Sequence, residues 1–436
     1  MEFFNRENEL TLFEKIKKQA STTAQFTVLV GRRRIGKTKL VLKSLEKDTF
    51  LYFFVTKKSE ALLCQDFIID IKEKLNIPVF GTITEFKDLF ALLMDYSKTK
   101  QINLIIDEFQ EFWTINPAVY SEMQKIWDLN KDKSKMNLIV SGSIYYLMKK
   151  IFENSKEALF GRATERIQLK PFSIKILKNI SQTYNKSYTA KDLLAFYILT
   201  GGIPKYVELF VDKNSLSFEK MLDEIFRQNS YLLDEGKNIL IEEFGKEYTT
   251  YFSILSLLAS SKTSRSEIES VLEKNIGGYL DRLEVEYTII KKIKPIFSKP
   301  GSRSVKYKIE DNFLNFWFRF IYKYRSAIEI GNFDYIKTIV KRDFDSFSGK
   351  FLEKYFIEQI SESKQYNLIG TYWEKGNKNE IDIVAVNRKE KKALIAEVKL
   401  NKSRISIDLL KEKSKKLLHE LKNYKIEYKA FSLDDV

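Results

Sequence analysis

The chain has 436 residues but only one cysteine, Cys64, and one histidine, His419. A single cysteine excludes an internal disulfide framework and favours a reducing compartment. With so few sulfur and imidazole groups, we expect any metal to be held by oxygen ligands, which suits magnesium. No apolar run reaches membrane-spanning length, and the N-terminal "MEFFNRENEL" lacks a signal-peptide pattern. These absences predict a cytoplasmic protein that does not engage a membrane.

Acidic residues are outnumbered by basic ones, 59 Asp and Glu against 74 Lys and Arg, which gives a formal net charge of +15. Such an excess favours a polyanionic partner, DNA above all. The same composition, with only 16 glycines and 6 prolines, also fits lysine-rich helices whose charges simply face solvent. Composition alone leaves both interpretations open.

A phosphate-binding loop is predicted near the N-terminus, in "AQFTVLVGRRRIGKTKLVLKSL". A β-branched strand ends at Val30, a loop follows, and a helix opens at Thr38, which is the context that the pattern G-x-x-x-x-G-K-[ST] requires. Glycines let backbone N–H groups approach phosphates, and a helix N-terminus favours anions. We therefore expect an ATP site with Lys37 on the β- and γ-phosphates and Thr38 on Mg²⁺. Its predicted binding residues are Gly31, Arg32, Arg33, Arg34, Ile35, Gly36, Lys37 and Thr38.

Two further strands supply the acidic and hydroxyl groups that such a site needs. In "INLIIDEFQEF" an apolar run ends at Asp107 and Glu108, as expected of a buried parallel strand that delivers carboxylates at its C-terminal end. Asp107 is predicted to anchor the Mg²⁺ shell, and Glu108 to polarise the attacking water. "MNLIVSGS" ends in Ser141 and Ser143, where a polar side chain can sense the γ-phosphate. The alternative is a strand that merely meets a polar turn.

Together with "LFGRATERIQLKPFS" and "GGIPKYV", these motifs resemble the archaeal-type ATPase family, relatives of the AAA+ and STAND ATPases. The resemblance covers roughly residues 1 to 235 and implies a five-stranded parallel sheet with a helical lid. It also implies that Arg162 stabilises the transferring phosphate, either in its own subunit or across a homo-oligomer, and that Gly201 to Tyr206 belong to the lid. Arg162 could instead pair with a local carboxylate, and Gly201–Gly202 could be a helix stop.

Beyond residue 242 the sequence changes to short helices and a hairpin around Pro300–Gly301, the order of a winged helix-turn-helix. The predicted recognition helix, Ile276 to Leu283, has only Arg282 as a basic residue, so we expect little direct base reading. The wing is more cationic and carries Lys299, Arg303, Lys306 and Lys308. Phosphate contact through the wing and a packing role for the whole module are both compatible with the sequence.

The next segment, "DNFLNFWFRFIYKYRSAI", is dense in aromatic side chains. Such a segment can stack bases or contact a membrane surface. Here the aromatics surround most of the predicted helix and do not alternate with basic residues, which favours a core helix between domains.

The C-terminal segment is predicted to follow the order α-β-β-β-α-β, which resembles the restriction-endonuclease-like fold. In that fold adjacent strands bring an Asp and a Glu-x-Lys together around a divalent metal, and the matching residues are Asp382, Glu397 and Lys399. Positions two apart on a strand share a face, so Glu397 and Lys399 are expected to point to one side, beside Asp382. Glu353 matches a further acidic position of the fold, and Glu380 is a second-choice ligand. The alternative is a strand pair with salt bridges at its edge.

The predicted fold class is α/β, with a P-loop ATPase sheet and helical lid, a winged helix-turn-helix and an αβββαβ nuclease-like domain. The predicted domains are the ATPase core at 1–180, the lid at 181–242, the winged helix at 243–310, an aromatic connector at 311–345 and the nuclease-like domain at 346–436.

Two hypotheses for the function follow. In the leading one the protein hydrolyses ATP with Mg²⁺, binds DNA and cleaves it, with Asp382, Glu397 and Glu353 as metal ligands and Lys399 as a catalytic group. In the other it is an ATP-driven switch or scaffold that controls a partner protein through the winged helix or the C-terminal domain, which is then an inactive docking fold. Magnesium-dependent nicking of DNA separates the two.

Overall fold

A computed structural model describes residues 3–79, 81–244, 248–302 and 304–436 of the chain. The chain divides into two compact units, residues 2–171 and residues 172–436. Across the described ranges, helices that combine the length and the apolar character needed to cross a membrane are absent.

The first unit is built on one parallel sheet. Its described strands are β1 (Gln25–Val30), β2 (Leu51–Phe54), β3 (Ile102–Asp107), β4 (Met136–Gly142) and β5 (Glu165–Gln168). They lie in the order β2-β3-β4-β1-β5, and every neighbouring pair is parallel. β3 and β4 are buried along their whole length, as their continuous apolar runs require of central strands covered on both faces. The predicted five-stranded parallel sheet is confirmed.

Helices of the first unit cover this sheet and fix the ends of its strands. They are α1 (Glu7–Ala20), α2 (Lys37–Ser44), α3 (Glu60–Leu75), α4 (Phe86–Tyr96), α5 (Phe112–Ile115), α6 (Ala118–Asn130) and α7 (Tyr145–Glu153). Their apolar faces meet the strands through aromatic pairs, such as the stacked rings of Phe53 and Phe67 at 4.2 Å. Because parallel strands all end at one edge, the residues after β1, β3 and β4 are brought to the same place.

The second unit begins with helices and a two-stranded hairpin. The helices are α8 (Ile174–Tyr184), α9 (Ala190–Thr200), α10 (Pro204–Asp212), α11 (Phe218–Ile225), α12 (Leu232–Phe244), α13 (Tyr248–Ala259), α14 (Arg265–Leu272) and α15 (Gly277–Asp281). The antiparallel hairpin consists of β6 (Ile290–Ile293) and β7 (Lys306–Ile309). The predicted recognition helix is only the short α15, which continues as the π-helical turn Arg282–Glu286.

The segment "GGIPKYV" links α9 to α10. Gly201 has φ +56° and caps α9, with its N–H bonded to the Tyr197 carbonyl. Pro204 then opens α10 at its first position, where its missing N–H costs nothing. This glycine therefore ends a helix, the structural role that the sequence left open.

The aromatic segment forms α16 (Asn312–Phe316), the π-helical turn Trp317–Tyr322 and α17 (Arg325–Glu329). Five of its seven aromatic side chains are buried, and the indole N–H of Trp317 donates to the Leu233 carbonyl at 2.9 Å. The prediction of a core segment is confirmed.

A helix of 30 residues, α18 (Phe333–Glu362), follows this segment. It runs without a break through residues 345 and 346, the predicted boundary between the connector and the nuclease-like domain. Lys350 on α18 donates to Asn315 at 2.9 Å, and Lys354 donates to Asn312 at 2.8 Å. The side chains of α18 thus hold α16 directly.

The chain ends in a four-stranded mixed sheet with the predicted element order. After α18 come β8 (Leu368–Glu374), β9 (Lys378–Asn387), β10 (Lys392–Val398), α19 (Ile407–Ser414) and β11 (Lys425–Phe431). The strands lie in the order β11-β10-β9-β8, with β8/β9 and β9/β10 antiparallel and β10/β11 parallel. The end of β8, the start of β9 and the end of β10 therefore meet at one end of this sheet.

The loop between β6 and β7 is packed against the edge strand β8. The backbone N–H of Ile296 donates to the Thr371 carbonyl at 2.8 Å. The Ile296 side chain is buried in the same apolar cluster as Ile381 and Val384 of β9. Since that residue completes the core of the sheet, the hairpin and the sheet share one core.

Candidate nucleotide and metal sites

The P-loop lies between β1 and α2, as its sequence predicts. Gly36 has φ +89°, a left-handed conformation that suits glycine, and it immediately precedes α2. The buried Lys37 donates its ammonium to the carbonyl of Gly31 at 2.9 Å and to that of Arg32 at 3.3 Å. Ile35 is 1% exposed and anchors the loop in the core. The loop is thus folded around the lysine that is predicted to reach the phosphates.

Three consecutive arginines form the outer part of this loop. Arg33 is exposed, whereas Arg32 and Arg34 are half-buried. Arg34 has φ +67°, an uncommon conformation for a residue with a side chain. Gly31 must be small, because a β-carbon there would lie 3.1 Å from the Leu169 carbonyl oxygen. The glycine therefore lets the loop pass close to the segment that follows β5.

Asp107 at the end of β3 is surrounded by hydroxyl groups. Its Oδ2 accepts hydrogen bonds from Thr38 at 2.7 Å and from Tyr52 at 2.8 Å, and its Oδ1 accepts from Ser141 at 2.5 Å. Burial, and then the charge of Asp107, raises the pKa of Tyr52, so that this phenol stays a donor. The three hydroxyls fix the orientation of the carboxylate, and Thr38 and Asp107 together present the oxygen donors that Mg²⁺ prefers.

Glu108 stands next to Asp107 in a conformation that few residues adopt. Its φ is +53°, so its side chain leaves the strand direction. Its Oε2 accepts from the Ser143 hydroxyl at 2.7 Å and from the Gln110 amide at 2.5 Å. Gly142 must be small here as well, since a β-carbon would collide with the buried side chains of Gln110 and Met148. The side chains of Ser143 and Gln110 thus orient the carboxylate that is predicted to polarise water, and the small Gly142 leaves room for Gln110.

Arg162 lies after α7 and is bound to a neighbouring carboxylate. Its guanidinium donates to Asp128 Oδ2 at 3.1 and 3.3 Å and to the Phe160 carbonyl at 2.8 Å. The side chain remains 32% exposed. The local pairing that the sequence allowed is therefore present, and a role of Arg162 on phosphate stays a prediction.

In the second unit, Asp382, Glu397 and Lys399 come together at one end of the mixed sheet. The register that pairs Ala396 with Ile383 places Glu397 beside Asp382. The Lys399 ammonium lies 3.2 Å from Asp382 Oδ2 and 3.0 Å from Glu397 Oε1. Burial works against the positive charge, but the two carboxylates outweigh it and raise the pKa of Lys399. Glu397 and Lys399 thus lie on one side of the chain beside Asp382, as the alternation of side chains along a strand predicts.

Each of the two carboxylates has a further partner. The backbone N–H of Val398 donates to Asp382 Oδ2 at 2.8 Å. Lys413 of α19 donates to both oxygens of Glu397, at 3.0 and 3.2 Å. Burial raises the pKa of Asp382, and Val398 and Lys399 oppose that shift. The acids are therefore held mainly by lysines, and the described part of the chain has no group of three or more His, Cys, Asp or Glu side chains placed to hold a metal.

Glu353 faces this region from α18. Burial raises the pKa of Glu353 to about 7, and the charge of Asp382 adds to the effect, whereas Lys308 and Lys399 oppose it. Glu353 is thus within electrostatic reach of the carboxylates on β9 and β10. Its position agrees with the predicted additional acid, and its ligand role stays a prediction.

The raised pKa of Glu353 predicts a pH dependence of folding in metal-free protein. Its ordinary pKa is 4.5, so between about pH 4.5 and about pH 7 the unfolded chain has lost this proton while the folded chain keeps it. Stability therefore falls as the pH rises through that window. Glu353→Gln, which stays neutral, is expected to gain more stability over wild type at about pH 8 than at about pH 5. Urea unfolding in the presence of a chelator measures this difference.

The exposed Glu362 near the end of α18 offers a matched control for Glu353. Glu362→Gln removes a carboxylate from the same helix and is expected to change stability equally at both pH values. An equal gain for Glu353→Gln at both pH values would contradict the assigned burial of its charge.

The hairpin β6–β7 reaches the start of β9 through one of its predicted wing cations. Lys306 forms an ion pair with Glu380 at 2.8 Å, and its ammonium lies 4.6 Å from the centre of the Trp373 ring. The indole N–H of Trp373 donates to Ser304 at 2.8 Å. Glu380, the second-choice ligand, is thus paired with a lysine. Of the other wing residues, Lys299 is exposed, Lys308 is half-buried, and Arg303 lies outside the described residues.

Sequence reasoning missed four side chains that shape these sites. They are Tyr52, Gln110, Lys413 and the ion-pairing role of Lys306. Tyr52 and Lys413 reach their partners across more than a dozen residues of chain, so no local pattern announces them. Gln110 follows the predicted Asp107–Glu108 pair by only two residues, and its position in "DEFQ" was the one available signal.

Two family models match the chain. Residues 3–210 match an ATPase domain found predominantly in Archaea. Residues 317–425 match a family of archaeal and bacterial proteins of unknown function. The first match contains the whole nucleotide site, and the second contains Glu353, Asp382, Glu397 and Lys399.

Known relatives extend along most of the chain. An uncharacterized protein of Methanocaldococcus jannaschii is 34% identical over 408 residues, which are 91% of this chain and 87% of that protein. Among solved structures, a Walker-type ATPase of Pyrococcus abyssi superposes with a TM-score of 0.55 at 18% identity, covering 72% of this chain and 96% of the other. The ORC2 protein of Aeropyrum pernix, solved in ADPNP–ADP complexes, has a TM-score of 0.47 at 12% identity and covers 75% of this chain and 96% of the other.

Proposed function

Because the chain belongs to the same family as the Methanocaldococcus jannaschii protein and carries the predominantly archaeal ATPase domain, we propose that it couples an ATPase cycle to the binding and cleavage of DNA. The family model describes an ATPase domain, and the P-loop sequence and the five-stranded parallel sheet agree with it. The binding and cleavage of DNA go beyond ATP hydrolysis. The side chains of the second unit are the support for this part of the proposal.

The proposal gives each residue of the nucleotide site one role. Lys37 binds the β- and γ-phosphates, Ser141 senses the γ-phosphate, and Glu108 positions the attacking water. Thr38 and Asp107 would hold Mg²⁺, because a hydroxyl and an oriented carboxylate lie 2.7 Å apart beside the P-loop. The ion supplies neutralisation of phosphate charge. Arg162 acts on the transferring phosphate after leaving Asp128, either in its own subunit or across a homo-oligomer.

One observation carries the cleavage proposal, the meeting of Asp382, Glu397 and Lys399 at the end of a mixed sheet with αβββαβ order. The donors on β9 and β10 are two carboxylates, whose oxygens fit a hard divalent cation. Glu353 on α18 is the further acid that the proposal adds, and among the described residues it does not form a group of three with them. When bound, such an ion polarises a phosphodiester and lowers the pKa of its water. Lys399 orients that water or offsets the charge that develops on the phosphate.

The experiment that tests this function uses the whole chain, supercoiled plasmid and single-stranded DNA. We expect nicking that requires Mg²⁺ or Mn²⁺ and whose rate changes when ATP is added. ATP hydrolysis is measured in the same preparation as proof of folded protein. Hydrolysis without nicking, on both DNA forms and with both metals, would overturn the cleavage proposal.

A second candidate function is an ATP-driven switch whose C-terminal domain only docks a partner protein. The specific observation in its favour is that Lys399 and Lys413 already neutralise Asp382 and Glu397 within the protein. Under this function, calorimetry detects no binding of Mn²⁺ to the second unit, while ATP hydrolysis continues. Metal binding together with nicking would exclude it.

A further inference from the structure

We propose that two loops beside the acidic site hold the phosphate backbone of duplex nucleic acid without reading its sequence. The first consists of the β8–β9 turn and the first residue of β9, residues 375–378. The second is the β10–α19 loop, residues 400–406, and together they are called the two-loop face. The inference rests on the proposed cleavage of DNA and states where that substrate lies.

The topology of the mixed sheet places both loops at the end that carries the acids. β8 is antiparallel to β9, and β9 is antiparallel to β10, so the turn after Glu374 and the loop after Lys399 extend from the same end. Asp382 lies four residues after the turn, and Glu397 lies three residues before the loop. A strand of nucleic acid whose phosphate reaches Asp382 and Glu397 would therefore lie beside both loops.

The cationic side chains of the two-loop face are exposed and are not paired with acidic side chains. They are Lys375, Lys378, Lys402 and Arg404. Within the described ranges, none of the four forms an ion pair with an acidic side chain. Two lysines on and directly after α19 differ, since Lys411 is paired with Asp408 at 3.3 Å and Lys415 with Glu412. The unpaired cations of the two-loop face thus flank the site, where a polyanion can neutralise them.

The composition of the loops selects the kind of nucleic-acid contact. The turn reads "KGNK" and the loop reads "LNKSRIS", so their polar side chains are Lys, Arg, Asn and Ser. These residue types supply most contacts to phosphate oxygens. Neither loop contains an aromatic residue on which unpaired bases could stack, and neither forms an α-helix that could enter a major groove. Backbone contact to a duplex, independent of sequence, is the mode that remains.

The predicted wing is a weaker candidate for this contact. Lys306 is only 14% exposed, because it is held between Glu380 and the Trp373 ring. The loop before it contributes Ile296 to the core of the sheet. The hairpin therefore serves packing, and it leaves the two-loop face as the cationic surface next to the acids.

The test compares two double charge reversals in the full chain. Lys402→Glu with Arg404→Glu alters the two-loop face, and Arg388→Glu with Lys389→Glu alters the exposed β9–β10 turn at the opposite end of the same sheet. Both variants lose one lysine and one arginine, so their net charges are equal. Affinity for two fluorescent duplexes of unrelated sequence is measured by anisotropy, with a chelator present and at several salt concentrations. The ATP hydrolysis rate of each variant verifies folding.

We expect the two-loop variant to bind both duplexes about tenfold or more weakly, with a salt dependence reduced by about two phosphate contacts. The opposite-end variant is expected to stay within about twofold of wild type. Equal losses in the two variants would reduce the effect to net charge and overturn the proposal, as would unchanged affinity in the two-loop variant.

The same data separate this inference from the proposed cleavage. If wild type nicks plasmid but the two-loop variant binds duplex normally, the two-loop face is wrong and the cleavage site stands. If wild type binds duplex through the two-loop face but never nicks, the face stands as a docking surface for nucleic acid and the cleavage proposal fails. If wild type neither binds nor nicks DNA, both are overturned.

Discussion

Replacement of Glu108 by Gln is expected to slow ATP hydrolysis by about 10²- to 10⁴-fold while ATP binding is nearly unchanged. The Glu108 carboxylate is oriented by the Ser143 hydroxyl at 2.7 Å and by Gln110, and an amide in its place keeps the shape but cannot accept a proton. Lys37→Ala is expected to abolish binding itself, because the P-loop is folded around that ammonium. Calorimetry with a non-hydrolysable ATP analogue and phosphate release measure the two effects separately.

Lys43 provides the matched control on the same helix. It is exposed and paired with Glu46, so Lys43→Ala is expected to bind and hydrolyse ATP as wild type does. If Glu108→Gln hydrolysed ATP at the wild-type rate, Glu108 would have no part in activating water.

The second large effect is expected at the acidic site. Asp382→Ala should lose both Mn²⁺ binding and plasmid nicking, since one of the two adjacent carboxylates disappears. Lys399→Ala should lose nicking but keep much of its metal affinity, because the lysine neutralises the carboxylates and is not a ligand. Calorimetry with Mn²⁺ and nicking of plasmid, run on the same preparations, distinguish the two variants.

Asp408 is the control for Asp382. Its side chain is 93% exposed on α19, and Asp408→Ala is expected to leave metal binding and nicking unchanged. Nicking that persists in Asp382→Ala would indicate a contaminating enzyme or a different site.

The parts of these sites that the sequence predicts correctly are encoded in short stretches. The P-loop positions Lys37 and Thr38 by the spacing of two glycines, and a continuous apolar run delivers Asp107 to the end of a buried strand. The pairing of Glu397 and Lys399 follows from strand alternation alone. Each of these features depends on fewer than a dozen neighbouring residues, so the local pattern is sufficient.

The parts that sequence reasoning missed depend on contacts between distant segments. Tyr52 reaches Asp107 because β2 lies beside β3, and Lys413 reaches Glu397 because α19 packs against the sheet. Lys306 was read as a free wing cation, yet its ion pair with Glu380 spans 74 residues of chain. Such partners are fixed by the order of strands and helices in space, which residue patterns do not specify.

The sequence also failed to predict the full length of α18, but for a different reason. The aromatic density before residue 330 and the amphipathic stretch after residue 346 suggested two elements with a boundary between them. Gly349, a poor helix former, also lies near the expected start. In the structure, buried residues recur from Ile336 to Ile360, so tertiary packing overrides the local weakness and joins both stretches into one helix.

This continuous helix has a consequence for how the gene can be rearranged. A crossover between related chains at residue 346 would leave half of α18 on each side and would join Phe347 and Phe351 to surroundings that did not evolve with them. A junction that leaves α18 intact is the turn at Gly331 and Asn332, where φ is +74° at the glycine and the helix has not yet begun. Either junction also exchanges one side of the contacts between α18 and α16. Genes that exchange the C-terminal part are therefore expected to yield more folded protein when they are joined at that turn than when they are joined inside the helix.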